Sequence, residues 1–100
     1  MSEKTNLEYL LQILHQQLPL LTERYQVQSL GVFGSYAHQE QHSGSDLDLL
    51  VTFYETPSLL RFIALENYLS DLLGIQVDLV MREALRPHIG QRILDEVVRV

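Results

Sequence analysis

Residues 32–51 read VFGSYAHQEQHSGSDLDLLV, and this stretch decides the fold. It begins as an apolar strand, breaks at Gly34-Ser35, crosses a polar loop and re-enters an apolar strand carrying Asp46 and Asp48. Two carboxylates two apart at the head of a buried strand are costly to fold, because each must find a cation or a hydrogen-bond donor. A cost of that kind points to chemistry rather than to packing.

Upstream, residues 27–33 alternate as a strand, with Leu30 and Val32 on one face and Gly31 where another backbone can approach. Before it, Leu7, Leu10, Leu11, Leu14 and Leu18 share one helical face, with Thr5 or Asn6 as N-cap and Pro19 marking a disturbance near the end. After Ser35 we expect a short helical turn and an exposed loop, then a central strand over 47–53 that is apolar on both faces beyond Asp48. Thr56 is placed to cap a helix with Pro57 at its first position, running to about residue 73 on a wide stripe that includes Leu59, Phe62, Ile63, Leu65 and Leu69. Gly74 then supplies a left-handed stop. A third strand over 75–81 holds Asp78, and Pro87 opens a final helix to about residue 98 with Ile89, Ile93, Leu94 and Val97 inward. The order predicts an α/β (α+β) fold: a small mixed sheet of three or more strands flanked by helices.

Composition bounds what such a fold can do. One hundred residues are expected to form a single domain over 1–100, and the absence of cysteine removes disulfides, thiolate metal sites and a cysteine nucleophile. The N-terminal residues, MSEKTNLEYLLQILHQQ, offer neither a signal-peptide apolar core nor a membrane span, so a cytoplasmic protein is expected. A net charge of −6 argues against general binding to nucleic-acid backbones. A polyanionic ligand would have to arrive with metal ions.

Along a strand, residues two apart share a face, so Asp46 and Asp48 stand side by side with Cα atoms about 6.5 Å apart. Hard oxygen donors at that spacing suit Mg2+ or Mn2+ shared with substrate phosphates. If the helix over residues 58–73 crosses over, it returns the third strand beside the second and brings Asp78 to the same face. At Gly34-Ser35 a strand ends in a turn where backbone amides can approach a phosphate without a Cβ in the way, and Ser35 adds a hydroxyl donor. A metal clamp would then face an anion cradle, an arrangement suited to nucleotidyl transfer.

Gly-Ser after a strand, then Ser-Asp-x-Asp-x-x-Val about ten residues on, then a lone Asp in a later strand, resembles the DNA polymerase β-like nucleotidyltransferase superfamily, with a strand-and-helix core of that kind. From Leu7 to the end, including residues 85–97, the chain is similar to its minimal nucleotidyltransferases (MNT). The resemblance implies that Asp46, Asp48 and Asp78 are the metal-binding and catalytic triad, and that Gly34, Ser35 and Ser45 meet the nucleotide. It further implies an Mg2+- or Mn2+-dependent enzyme that uses ATP and partners a HEPN-domain ribonuclease toxin in a hetero-oligomer. The expected activity is transfer of AMP to a tyrosine of that toxin. One departure stands out: His38-Gln39 occupies the place where the family carries Arg-Gly, which removes a fixed cation from the phosphate site.

Plainer readings exist for each residue. Asp46 and Asp48 could be a loop acid and a strand-edge acid paired to arginine, Asp78 a salt-bridge partner of Arg82 or Arg86, and Ser35 a helix cap. Tyr36 and Tyr54 are candidates to stack on a base, or else core and partner contacts. For the whole chain the alternative to catalysis is an antitoxin that neutralises the HEPN toxin by binding alone. A small-molecule transferase fits less well, since the chain has no extra domain for an acceptor pocket.

Overall fold

The structure is a computed structural model that describes residues 6–42 and 44–100. Thr5, one of the two expected caps, lies outside the described residues; Asn6 caps helix α1 (Leu7–Tyr25), its side-chain oxygen accepting from the amides of Glu8 and Tyr9. Pro19 does not end this helix. The helix runs on to Tyr25, burying Leu21 with Leu10 and Leu14, and closes on Gln26 in the left-handed conformation.

Strands β1 (Val27–Phe33) and β2 (Leu47–Phe53) keep the bounds that the sequence predicts and pair antiparallel, Phe33 opposite Asp48 and Gly31 opposite Leu50. Helix α2 (Leu59–Leu73) starts two residues later than expected: Ser58, not Thr56, accepts from the Arg61 amide, and Pro57 precedes the cap. Gly74 ends it at φ 70°. Its buried face is Leu65, Leu69 and Leu73. Ile63 stands about 200° around the helix from Leu65 at about 100° per residue, which explains why it is exposed; the predicted stripe was too wide.

The crossover through α2 returns β3 (Val77–Met81) parallel to β2, with Asp48 opposite Asp78. A short 3-10 turn (Arg82–Ala84) leads to helix α3 (Pro87–Glu96), which ends before Val97; Val98–Arg99 then forms β4, antiparallel to β1. The expected final helix to residue 98 therefore gives up its last residues to a fourth strand. Gly31 makes this possible, since a Cβ there would fall on Val97 Cγ2, with Val98 O only 3.5 Å away. The sheet order is β3-β2-β1-β4, a mixed sheet within an α/β fold. Leu47, Leu49 and Val51 point from β2 into the core together with buried leucines of α1 and α2. Asp48, Leu50 and Thr52 alternate onto the other face. Asp78, register-paired with Asp48, shares that face.

Candidate active site

Asp48 sits where three constraints meet. It is opposite Phe33 on β1 and Asp78 on β3, and a Cβ built on Gly34 would fall on its Oδ2, with Cγ 3.1 Å away. Gly34 has φ 72°, so both its backbone conformation and its missing side chain are needed for the carboxylate to lie against the turn. Burial, then the like charges of Asp78 and Asp46, then a side-chain hydrogen bond with Asp78, push the Asp48 carboxyl up to about 6 from 3.8. Among the described residues no cation pairs with any of the three acids, Arg82 and Arg86 included. The salt-bridge reading of Asp78 therefore finds no partner.

The turn after β1 is wound tightly. Gly34 O accepts from the amides of Ala37 and His38 at 3.1 and 3.3 Å, and Ser35 O accepts from Glu40 at 2.8 Å. These are turns rather than a helix. Among the described residues the Ser35 and Tyr36 amides donate to no carbonyl, leaving two N–H groups at the start of the winding as they are left at a helix N-terminus. The Ser35 hydroxyl likewise has no partner among the described residues. Ser45 is half-buried, and its hydroxyl accepts from the His42 amide at 2.9 Å while its own amide donates to His42 O at 3.0 Å, closing the loop just before Asp46.

The structure decides between the two readings of Tyr36 and gives His38 a partner. Tyr36 is 1% exposed within the core, so it is not a surface for a base; burial and then the nearby Asp46 charge push its hydroxyl pKa up. Tyr54 is exposed. His38 Nε2 lies 3.0 Å from Glu96 Oε2, joining the turn to the end of α3 across 58 residues of sequence. It is therefore engaged by a carboxylate.

Sequence reasoning missed the supports under Asp78. The amide of Leu79 donates to Glu66 Oε2 at 2.9 Å, and that of Val77 donates to Ser70 Oγ at 3.0 Å. Two side chains one turn apart on α2 thus satisfy the free edge of β3 on either side of Asp78. The available signal was a polar pair at i, i+4 within an apolar helix.

Residues 14–100 match the nucleotidyltransferase domain. The chain belongs to this family. It is a nucleotidyltransferase, 54% identical over 80 residues to protein adenylyltransferase MntA of Thermococcus cleftensis, with 80% of this chain and 81% of the relative covered. A solved structure of a minimal nucleotidyltransferase superposes with a TM-score of 0.80 at 36% identity, covering 95% of this chain and 96% of the other. The fold recurs in a complex of tri-AMPylated Shewanella oneidensis HEPN toxin with an MNT antitoxin, at 20% identity and TM-score 0.60, covering 98% of this chain and 71% of that one.

The acid cluster can be tested as a cation site on its own chemistry. Its donors are carboxylate oxygens, the preferred ligands of Mg2+ and Mn2+, and burial followed by the like charges of Asp78 and Asp46 raises the pKa of Asp48, a cost that a bound cation would offset. Among the described residues no group of three or more His, Asp or Glu is gathered closely enough to hold an ion by itself. No helix among the described residues is long and apolar enough to cross a membrane.

Proposed function

We propose that this nucleotidyltransferase transfers AMP from ATP to a hydroxyl of a protein acceptor in the cytoplasm, a tyrosine of a HEPN-domain toxin, and so acts as its antitoxin within a hetero-oligomer. The observation that carries this reading is the juxtaposition of register-paired Asp48 and Asp78 with the Gly34 turn, in a chain similar to a protein adenylyltransferase. The HEPN acceptor is supported by the described AMPylated complex and by the sequence resemblance. We read residues 1–100 as one domain whose acceptor protein completes the site.

In this reading the Ser35 and Tyr36 amides and the Ser35 hydroxyl receive the β- and γ-phosphates, with Ser45 shaping the loop that presents Asp46. Asp46, Asp48 and Asp78 would hold Mg2+ or Mn2+, which when bound neutralises phosphate charge and makes a nearby hydroxyl more acidic. The acceptor oxygen attacks the α-phosphorus, the bond from that phosphorus to the bridging oxygen breaks, and pyrophosphate leaves. The hydroxyl proton passes to a carboxylate, for which exposed Asp78 is placed.

A second reading, neutralisation by binding alone, is favoured by one observation: His38, at the position of the family's arginine, is taken up by Glu96. Incubation with labelled ATP, Mg2+ and the co-encoded toxin separates the two. Label on the toxin that disappears in Asp46→Asn/Asp48→Asn supports catalysis. Absence of label, with full neutralisation by the double variant, refutes it and leaves binding alone.

A further inference from the structure

The open face of the sheet does not end at the acids. Two residues along β2 from Asp48 a groove of about 320 Å3 begins, lined by Leu50 and Thr52 of β2 and by Leu94 and Val97. Ser29 and Gly31 of β1, opposite Thr52 and Leu50 in the sheet, line it as well, the Ser29 and Thr52 hydroxyls hydrogen-bonded at 2.6 Å. Arg82, just after β3, and Arg99 of β4 stand at its sides. Among the described residues neither guanidinium has a carboxylate partner. In a chain with 13 acids and seven Lys and Arg, two unpaired arginines around one apolar slot form a local basic site on an acidic protein.

The position of the groove identifies its occupant. Gly34 follows the last residue of β1, beside Asp48, whereas Ser29 and Gly31 lie back along the same strand. The face therefore runs from the Gly34 turn, through the acids, to the groove, with Leu50 about 6.6 Å from Asp48. The groove lies on the same face as Asp48, one side-chain step further along β2, so a polypeptide seated in it brings a side-chain hydroxyl within reach of the acids.

We propose that this groove is the acceptor site and that Arg82 and Arg99 bind an extended acidic segment of the acceptor polypeptide, with an apolar side chain against Leu50, Leu94 and Val97. The proposal rests on the nucleotidyl-transfer reading above. Thr52 and Ser29 already bond each other, which leaves the arginines as the polar selectors.

The test uses the full chain and three synthetic peptides of about twelve residues, long enough to span the groove at about 3.3 Å per residue. Each has a single tyrosine and a leucine, flanked by acidic, uncharged or basic residues. Binding is read by fluorescence anisotropy without ATP, and transfer by label from ATP with Mg2+. The acidic peptide is expected to bind and to be labelled about ten-fold better than the basic one, the scale of two exposed charge pairs acting together. Arg82→Glu/Arg99→Glu should reverse that order while keeping the wild-type affinity for a non-hydrolysable ATP analogue and an unchanged Tm. Acidic-peptide binding that the reversal abolishes, without label on any peptide, supports the groove and counts against the transfer reading. Label that ignores peptide charge, or the absence of charge-selective binding, overturns the groove and leaves transfer standing. Loss of ATP-analogue affinity in the reversed variant also overturns it, because the groove would then belong to the nucleotide.

Discussion

Removing the charge of Asp48 while keeping its shape should stabilise the protein and abolish its chemistry. The carboxyl titrates at about 6 in the folded chain instead of 3.8, which at 1.36 kcal/mol per tenfold in proton affinity is worth about 3 kcal/mol. Asp48 is only part-buried, so solvent screening reduces this to about 1.5 kcal/mol. The sign follows from linkage. Between about pH 4 and pH 6 the folded state holds the Asp48 proton more tightly than the unfolded state, so the stability present in acid is lost as pH rises and is gone above about 6.

Asp48→Asn has no proton to lose, and its amide can donate to Asp78. In metal-free buffer at about pH 7.5 the variant should melt about 6 °C or more above wild type, at about 4–8 °C per kcal/mol for a domain of this size. At about pH 4, where the wild-type carboxyl is largely protonated, the two should melt together. Added Mg2+ should raise the wild-type melting temperature and close the gap at pH 7.5. Thermal unfolding followed by circular dichroism at both pH values, with and without Mg2+, measures all three. A variant less stable than wild type at pH 7.5, or a gap that is the same at both pH values, would refute the claim that burial and like-charge crowding raise the Asp48 pKa.

Gly34→Ala places a Cβ on Asp48 Oδ2 at positive φ, and the resulting strain should cost about 1–3 kcal/mol and remove affinity for a non-hydrolysable ATP analogue; unchanged affinity by calorimetry would mean the turn is not the phosphate cradle. Glu66→Ala deprives the Leu79 amide of its acceptor, at about 1–2 kcal/mol, and that amide should exchange with deuterium faster than those of β2, an effect Glu66→Gln should largely restore. Gly31→Ala drives a Cβ into Val97 and should release β4, costing about 1–3 kcal/mol, read as lost protection of the Val100 amide that now donates to Leu30 O.

What could be read from the sequence follows from where each signal resides. β1 and β2 were legible residue for residue because β1 alternates up to the break at Gly34-Ser35 and β2 is an apolar run headed by the Asp46/Asp48 pair. The pairing of Asp48 with Asp78 was legible because a helix between two strands returns them parallel, and a parallel register then aligns acids near the strand starts. Gly31 announced a close backbone approach, although which backbone approaches was hidden. β4 is two residues long and exists only because β1 offers it an edge, so the apolar periodicity of α3 simply ran on through Val97. The choice of Ser58 over Thr56 as cap was equally hidden, since two hydroxyl residues flanking a proline carry the same local preference and tertiary packing selects between them.

The same distinction explains why one half of the active face was legible and the other was not. Acids near a buried strand carry a desolvation cost visible in one dimension, because only a few environments tolerate them. The groove carries no such cost at any one residue: Leu50, Leu94 and Val97 read as core, and Ser29, Thr52, Arg82 and Arg99 read as ordinary surface. Its character arises only when β1, β2, β4, α3 and the turn after β3 are brought together on the face that α1 and α2 leave open. A metal and a phosphate cradle can be encoded in one contiguous stretch. A surface that selects a polypeptide draws on most of the chain, and in this protein it was assembled by a two-residue strand that the sequence pattern does not contain.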